Sequence, residues 1–188
     1  MSYTVAKIVD LSVANKLRSI RLGMYDQDLI DRYEEVISTQ RQILTLPQGV
    51  CKNCETIDLH NCKYLSSPAL SLVTRSGTTT TNNFPSLTTL KIGGSNISSI
   101  DIGDYTPLEE IELSDVMTVI NFTNLPQLKT VTLGNNLDGI KSVTLSNCPE
   151  LDQLSILRNF VNKTITISAD NLQGSEEESG RVTTAFMD

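Results

Sequence analysis

"LTTLKIGGSNISSIDI", residues 87–102, carries one short pattern twice. An apolar residue is followed three positions later by a second, and two positions after that by a third. The slots are Leu87, Leu90 and Ile92, then Ile97, Ile100 and Ile102. The last three residues of each unit alternate in, out, in, which is the period of a strand and not of a helix. Isoleucine and threonine are frequent around these slots, and β-branched side chains suit a pleated surface. "KIGGSN", residues 91–96, reads as a turn between two strands.

Outward from this stretch the pattern continues. Units begin at Leu87, Ile97, Leu108, Met117, Leu128, Ile140, Leu151 and Asn162, separated by 10, 11, 9, 11, 12, 11 and 11 residues. Upstream, Ile8-Leu11-Val13, Leu17-Ile20-Leu22, Cys54-Ile57-Leu59 and Ser67-Leu70-Leu72 follow the same spacing. Proline precedes alternate units, as Pro85, Pro107, Pro126 and Pro149. Two units therefore form one coil of about 20–23 residues with two unlike sides. One short strand cannot bury its own apolar face, but stacked coils place Leu on Leu and build a continuous core.

Two segments interrupt the pattern. In residues 24–47, Leu29, Ile30, Tyr33, Val36 and Ile37 recur at helical spacing. The spacing predicts a helix over 27–39 with Asp26 as N-cap, then a strand over 42–46. Residues 73–85, "VTRSGTTTTNNFP", form a long polar insertion that predicts a projecting loop or hairpin.

"LTTLKI", "LEEIEL" (108–113), "LKTVTL" (128–133) and "IKSVTLSNCPEL" (140–151) resemble the leucine-rich repeat family. The closest likeness is to the short, β-rich repeats of bacterial surface and phage-encoded proteins. The resemblance implies a mainly β fold: a right-handed parallel solenoid with strands on two sides of each coil and one N-terminal helix. It divides the chain into repeat-like strands with a helical insertion or cap (1–50), the solenoid (51–172) and an acidic C-terminal tail (173–188). In this family an Asn or Cys follows the strand and bonds backbone groups at the turn. Cys62 and Cys148 fill that slot here, and Cys54 fills a leucine slot.

"CKNCETIDLHNC", residues 51–62, tests that reading, because Cys51, Cys54, His60 and Cys62 have the residue types of a zinc site. A strand from 54 to 59 would carry His60 roughly 20 Å from Cys54, too far for one metal. A redox C-x-x-C would need a helix start after the first cysteine. Structural thiols are expected, with no cofactor. The chain's single histidine and the lack of a G-x-S-x-G elbow or a phosphate loop argue against an enzyme.

The 188 residues carry 22 acidic and 15 basic side chains, a net charge of -7. That balance opposes a sequence-independent grip on nucleic acid. No apolar run reaches the ~18 residues of a spanning helix, so no membrane insertion is expected. The alternating amino terminus does not read as a signal peptide, which predicts a cytoplasmic or virion location. The expected function is a non-catalytic scaffold for protein–protein interaction. The alternatives are a structural component of a bacteriophage virion, held by neighbouring subunits, and a bacterial surface adhesin. The outward strand positions Lys91, Glu112 and Thr132 on one side, and Asp101, Asn121 and Thr144 on the other, are interaction candidates. Arg75 and Thr79 of the polar insertion join them.

Overall fold

The computed structural model describes residues 8–28, 30–31, 42–104, 106–133, 142–151, 153–156 and 167–169. Across these residues the chain is mainly β, with strands numbered β1 to β15 in chain order. The largest sheet joins β2 (Ser19–Arg21), β4 (Thr56–Asp58), β8 (Thr89–Lys91), β10 (Glu110–Glu112), β12 (Thr130–Leu133) and β14 (Gln153–Ile156). Every pair in it is parallel. The register aligns Ile20, Ile57, Leu90, Ile111, Val131 and Leu154, the middle slot of each unit. Ile57, Leu90, Ile111 and Val131 are fully buried.

The alternate units form a second set of strands, divided into three separate parallel sheets. β1 (Ile8–Asp10) pairs with β3 (Ile43–Thr45), and β5 (Ala69–Ser71) with β9 (Ser99–Asp101). β11 (Val119–Thr123), β13 (Ser142–Ser146) and β15 (Ile167–Ala169) form the third. Both sets bury their inward residues in one hydrophobic cluster, where Leu90 and Ile111 join Leu70, Ile97 and Ile120. β6 (Val73–Ser76) and β7 (Thr79–Asn82) form an antiparallel hairpin, the projection expected from the polar insertion. Its two-residue loop starts at Gly77 with φ +58, a conformation glycine adopts without steric cost.

Strand ends share a turn. Asn61, Asn124 and Asn147 all have φ near +56, and Gly94 has φ +61 at the equivalent place. Asparagine tolerates the left-handed region because its short side chain hydrogen-bonds locally. Asn147 Nδ2 donates to Asn124 Oδ1 at 2.8 Å, linking two successive turns.

Several expectations are corrected in detail. Ile8-Leu11-Val13 is not a repeat unit: the strand lies at 8–10, Ile8 is 62% exposed and Val13 90% exposed. Leu17-Ile20-Leu22 does place a strand where expected. Helical residues occur at 27–28 and 30–31, with Ile30 N–H donating to Asp26 C=O at 2.9 Å. The rest of the 27–39 stretch, and the 173–188 tail, lie outside the described residues. The strand expected over 42–46 is β3. The last strand of the second set is displaced by two residues from its expected slot, because Val143 pairs with Ile167 and not with Ile165. A two-residue slip keeps every side chain on its face.

Candidate interaction surface

The closed pairs obey one hydrogen-bond rule. The inward residue that follows a strand donates its N–H to the outward residue of the next strand. Leu22 donates to Asp58 (2.8 Å), Leu59 to Lys91 (2.7 Å), Ile92 to Glu112 (2.9 Å) and Leu113 to Thr132 (2.8 Å). In the second set Leu72 donates to Asp101 (2.8 Å). By that rule Ile102 N–H should reach Asn121 C=O. It does not: β9 and β11 belong to different sheets, and neither backbone group has a partner among the described residues.

The hairpin accounts for the gap. The chain after β9 turns toward the hairpin base instead of toward β11. Asn82 Nδ2 donates to Thr106 Oγ1 at 2.9 Å, and Thr106 Oγ1 donates to Gly103 C=O at 2.6 Å. Gly103 is pressed so close that a Cβ there would stand 2.8 Å from Val73 Cγ1. Asn82 Oδ1 also accepts from Phe84 N–H at 2.8 Å, which fixes the return of the chain into the core. As a result Ile100 and Ile102 are half-buried, whereas Ile120 and Phe122 across the gap are buried.

The gap is a cleft of about 200 Å³, bordered by Ile100, Ile102 and Asp104 on one bank and Asn121 and Thr123 on the other. It continues into a depression of about 310 Å³ under the hairpin, lined by Arg75, Thr80, Asn82 and Asp104. Arg75 stands between them with each of its three nitrogens hydrogen-bonded. Nη2 and Nε reach the two oxygens of Asp101 at 2.7 and 3.1 Å, and Nη1 reaches Thr80 Oγ1 at 3.0 Å. The hydrogen bonds to Asp101, then its charge, raise the guanidinium pKa above its ordinary value. Asp104, exposed on the rim, leaves the cleft net negative.

The continuous sheet presents a different surface. Lys91, Glu112 and Thr132 form one in-register outward row, as expected, with Asp58 before them. Lys91 Nζ pairs with Glu110 at 3.3 Å, and Lys129 Nζ with Glu109 at 2.8 Å. Tyr25 lies over this sheet and stacks on His60, with centroids 4.6 Å apart and planes 4° apart. Its hydroxyl donates to Asp58 Oδ2 at 2.8 Å. Burial first, then the Asp58 carboxylate, push the phenol well above its ordinary range. His60 Nδ1 lies 3.0 Å from Glu112 Oε1 but outside hydrogen-bond geometry. Gly93 makes the approach feasible, since a Cβ there would stand 2.0 Å from that same oxygen.

The four cysteines are buried and reduced. Cys62 Sγ reaches Leu22 C=O at 3.5 Å and Cys148 Sγ reaches Ser146 C=O at 3.5 Å, which is the turn role expected of that slot. Cys51 Sγ donates to Leu17 C=O at 3.3 Å. Burial pushes the Cys54 thiol up to about 11 and the Cys62 thiol up to about 12. Among the described residues no cluster of three His, Cys, Asp or Glu side chains is arranged for a metal, and His60 engages Tyr25 and Glu112 instead. No described helix is long and apolar enough to cross a membrane.

The structure therefore divides the interaction candidates. Lys91, Glu112 and Thr132 share the continuous sheet. Arg75, Asp101 and Asn121 converge on the cleft, with exposed Thr79 on the hairpin and Thr144 beside Asn121 in register. Asp104, the backbone of Ile102 and the Tyr25 stack escape the sequence reading. Asp104 falls between units, backbone satisfaction is invisible in a residue string, and Tyr25 sits outside the repeat.

Compared with protein-family models, with curated proteins and with solved structures, the chain finds no match.

Proposed function

We propose that the chain is a non-catalytic scaffold for protein recognition, built as a right-handed parallel solenoid of the leucine-rich type. The parallel registers, the recurring left-handed turn and the shared core support that architecture. Handedness follows from the rule that parallel crossover connections are right-handed in about 98% of cases. The observation that carries the function is the opened second set of strands. A structure selected only for stability would pair Ile102 with Asn121; here a hairpin holds that site open and surrounds it with polar groups.

Photo-crosslinking in the native source tests this reading. A photoreactive residue at position 79, on the hairpin, should capture a discrete protein partner. The same group at position 132, on the continuous sheet, should capture little. Absence of a partner from every surface position would sink the scaffold reading.

A structural subunit of a larger assembly, as in a bacteriophage virion, is the second reading. It is favoured by the exposed, in-register pair Ile8 and Ile43 on β1 and β3. Crosslinks from position 43 to one neighbour at fixed stoichiometry would select it.

A further inference from the structure

We propose that the β9–β11 cleft receives an extended segment of a partner protein that carries a basic side chain. The inference rests on the recognition reading and names the chemistry of its partner. Two facing strand edges present Ile102 N–H and Asn121 C=O without protein partners among the described residues. An unpaired edge is a template for an added strand, whose main chain supplies hydrogen bonds and whose side chains supply specificity. One bank offers a donor and the other an acceptor, the two complementary groups that an extended backbone needs. The cleft between them opens to about 200 Å³ and runs on beneath the hairpin.

Charge decides the side chain. Arg75 is no open cation here, because Nε and Nη2 bind the Asp101 carboxylate, which offsets its charge, and Nη1 reaches Thr80. Asp104 is exposed at the rim of both depressions. A lysine or arginine on the incoming segment offsets that carboxylate, and the net charge of -7 steers such a segment toward the chain. Nucleic acid is disfavoured by the same field. Docking is strongest where the edge is already open, so the segment need not break a ladder to enter.

The experiment selects a randomised heptapeptide display pool on the full chain, then measures synthetic peptides by fluorescence anisotropy. Enrichment of one Lys or Arg among β-branched residues is expected. Asp104→Lys should weaken the selected peptides at least tenfold. Asn121→Pro places a ring at the cleft bank and removes an N–H that faces away from β13, so it should also abolish binding while leaving the β11–β13 ladder bonded. Thr132→Lys, on the continuous sheet, should change nothing. Acidic or charge-indifferent peptides, indifference to Asp104→Lys, or no enrichment would overturn the proposal. Peptides lost only with Thr132→Lys would overturn this site and leave the recognition reading standing. Self-association of the chain lost in Asn121→Pro would put a second copy in the cleft and overturn it equally.

Discussion

The two sets of strands are made from nearly the same units, yet one is closed and the other is open. In the six-stranded sheet the four inner strands have neighbours on both sides, and their inward residues Ile57, Leu90, Ile111 and Val131 reach zero exposure. In the second set Ile100, Ile102, Leu44 and Leu46 remain half-buried at two gaps. The gap between β3 and β5 encloses about 230 Å³ lined by Leu44, Leu46, Leu65 and Leu70. The difference lies in the insertions. The hairpin enters on the second set, and the contacts that tie its base to Thr106 and Gly103 stand where ladder bonds would continue. Stability resides in the uninterrupted sheet, and accessible polar backbone resides where insertions disturb the stack.

The sharpest way to break this comparison is to truncate equivalent slots. Ile111→Ala should cost about 2–5 kcal/mol in denaturant unfolding, because the fully buried cavity cannot collapse. Ile100→Ala should cost under about 2 kcal/mol, since solvent already reaches the site. Equal losses would mean that the gap is closed in solution.

Glycines probe the turns. Gly94→Ala combines a φ of +61 with a Cβ 2.1 Å from Asn61 Oδ1, so about 1–2 kcal/mol should be lost. Gly77→Ala has φ +58 but open space around it and should lose about 1 kcal/mol. A larger loss at Gly77 would show that the hairpin, not the stacked turn, is the more tightly fitted element.

The buried thiols test how tightly the closed sheet excludes solvent. Cys54 and Cys62 titrate above their ordinary value of 9.0 in the fold, at about 11 and about 12. Folding therefore favours the neutral thiols. Their contribution is full below pH 9 and is lost as pH rises through 9 to about 12. Thermal unfolding across that window should show a falling midpoint. Alkylation of native Cys62 should run about a thousandfold slower than in denaturant.

Tyr25→Phe removes the hydrogen bond to Asp58 and should cost about 0.5–1 kcal/mol, since the residue is largely exposed. The smallest effect is expected at Arg75→Gln. Its pair with Asp101 is exposed, so the unfolding midpoint should not move measurably, while the cleft, with Asp101 freed and one positive charge removed, should hold basic peptides at least as tightly.

Much of the β architecture was legible because the pattern has only two variables, period and slot. Leu87-Leu90-Ile92 places a strand, and repetition at about 11 residues places the next one in register with its neighbour's neighbour. The row Lys91, Glu112, Thr132 follows from that arithmetic alone, whereas the burial of Cys62 and Cys148 was expected from the family resemblance. The candidate site was only half legible. Arg75, Asp101 and Asn121 could be named, since polar residues outside the apolar slots must face solvent. Their convergence could not, because it depends on how the hairpin base is tied down.

By itself, then, the sequence determined which side chains of the central units turn inward, the spacing of their strands, and which segments leave the repeat. Those are local consequences of side-chain period and turn chemistry. Only the tertiary structure decided that Ile102 N–H and Asn121 C=O find no partner among the described residues, that Tyr25 covers His60, and that Val143 meets Ile167. Each depends on competition between distant groups for the same hydrogen bond or the same surface. No local pattern records which competitor wins.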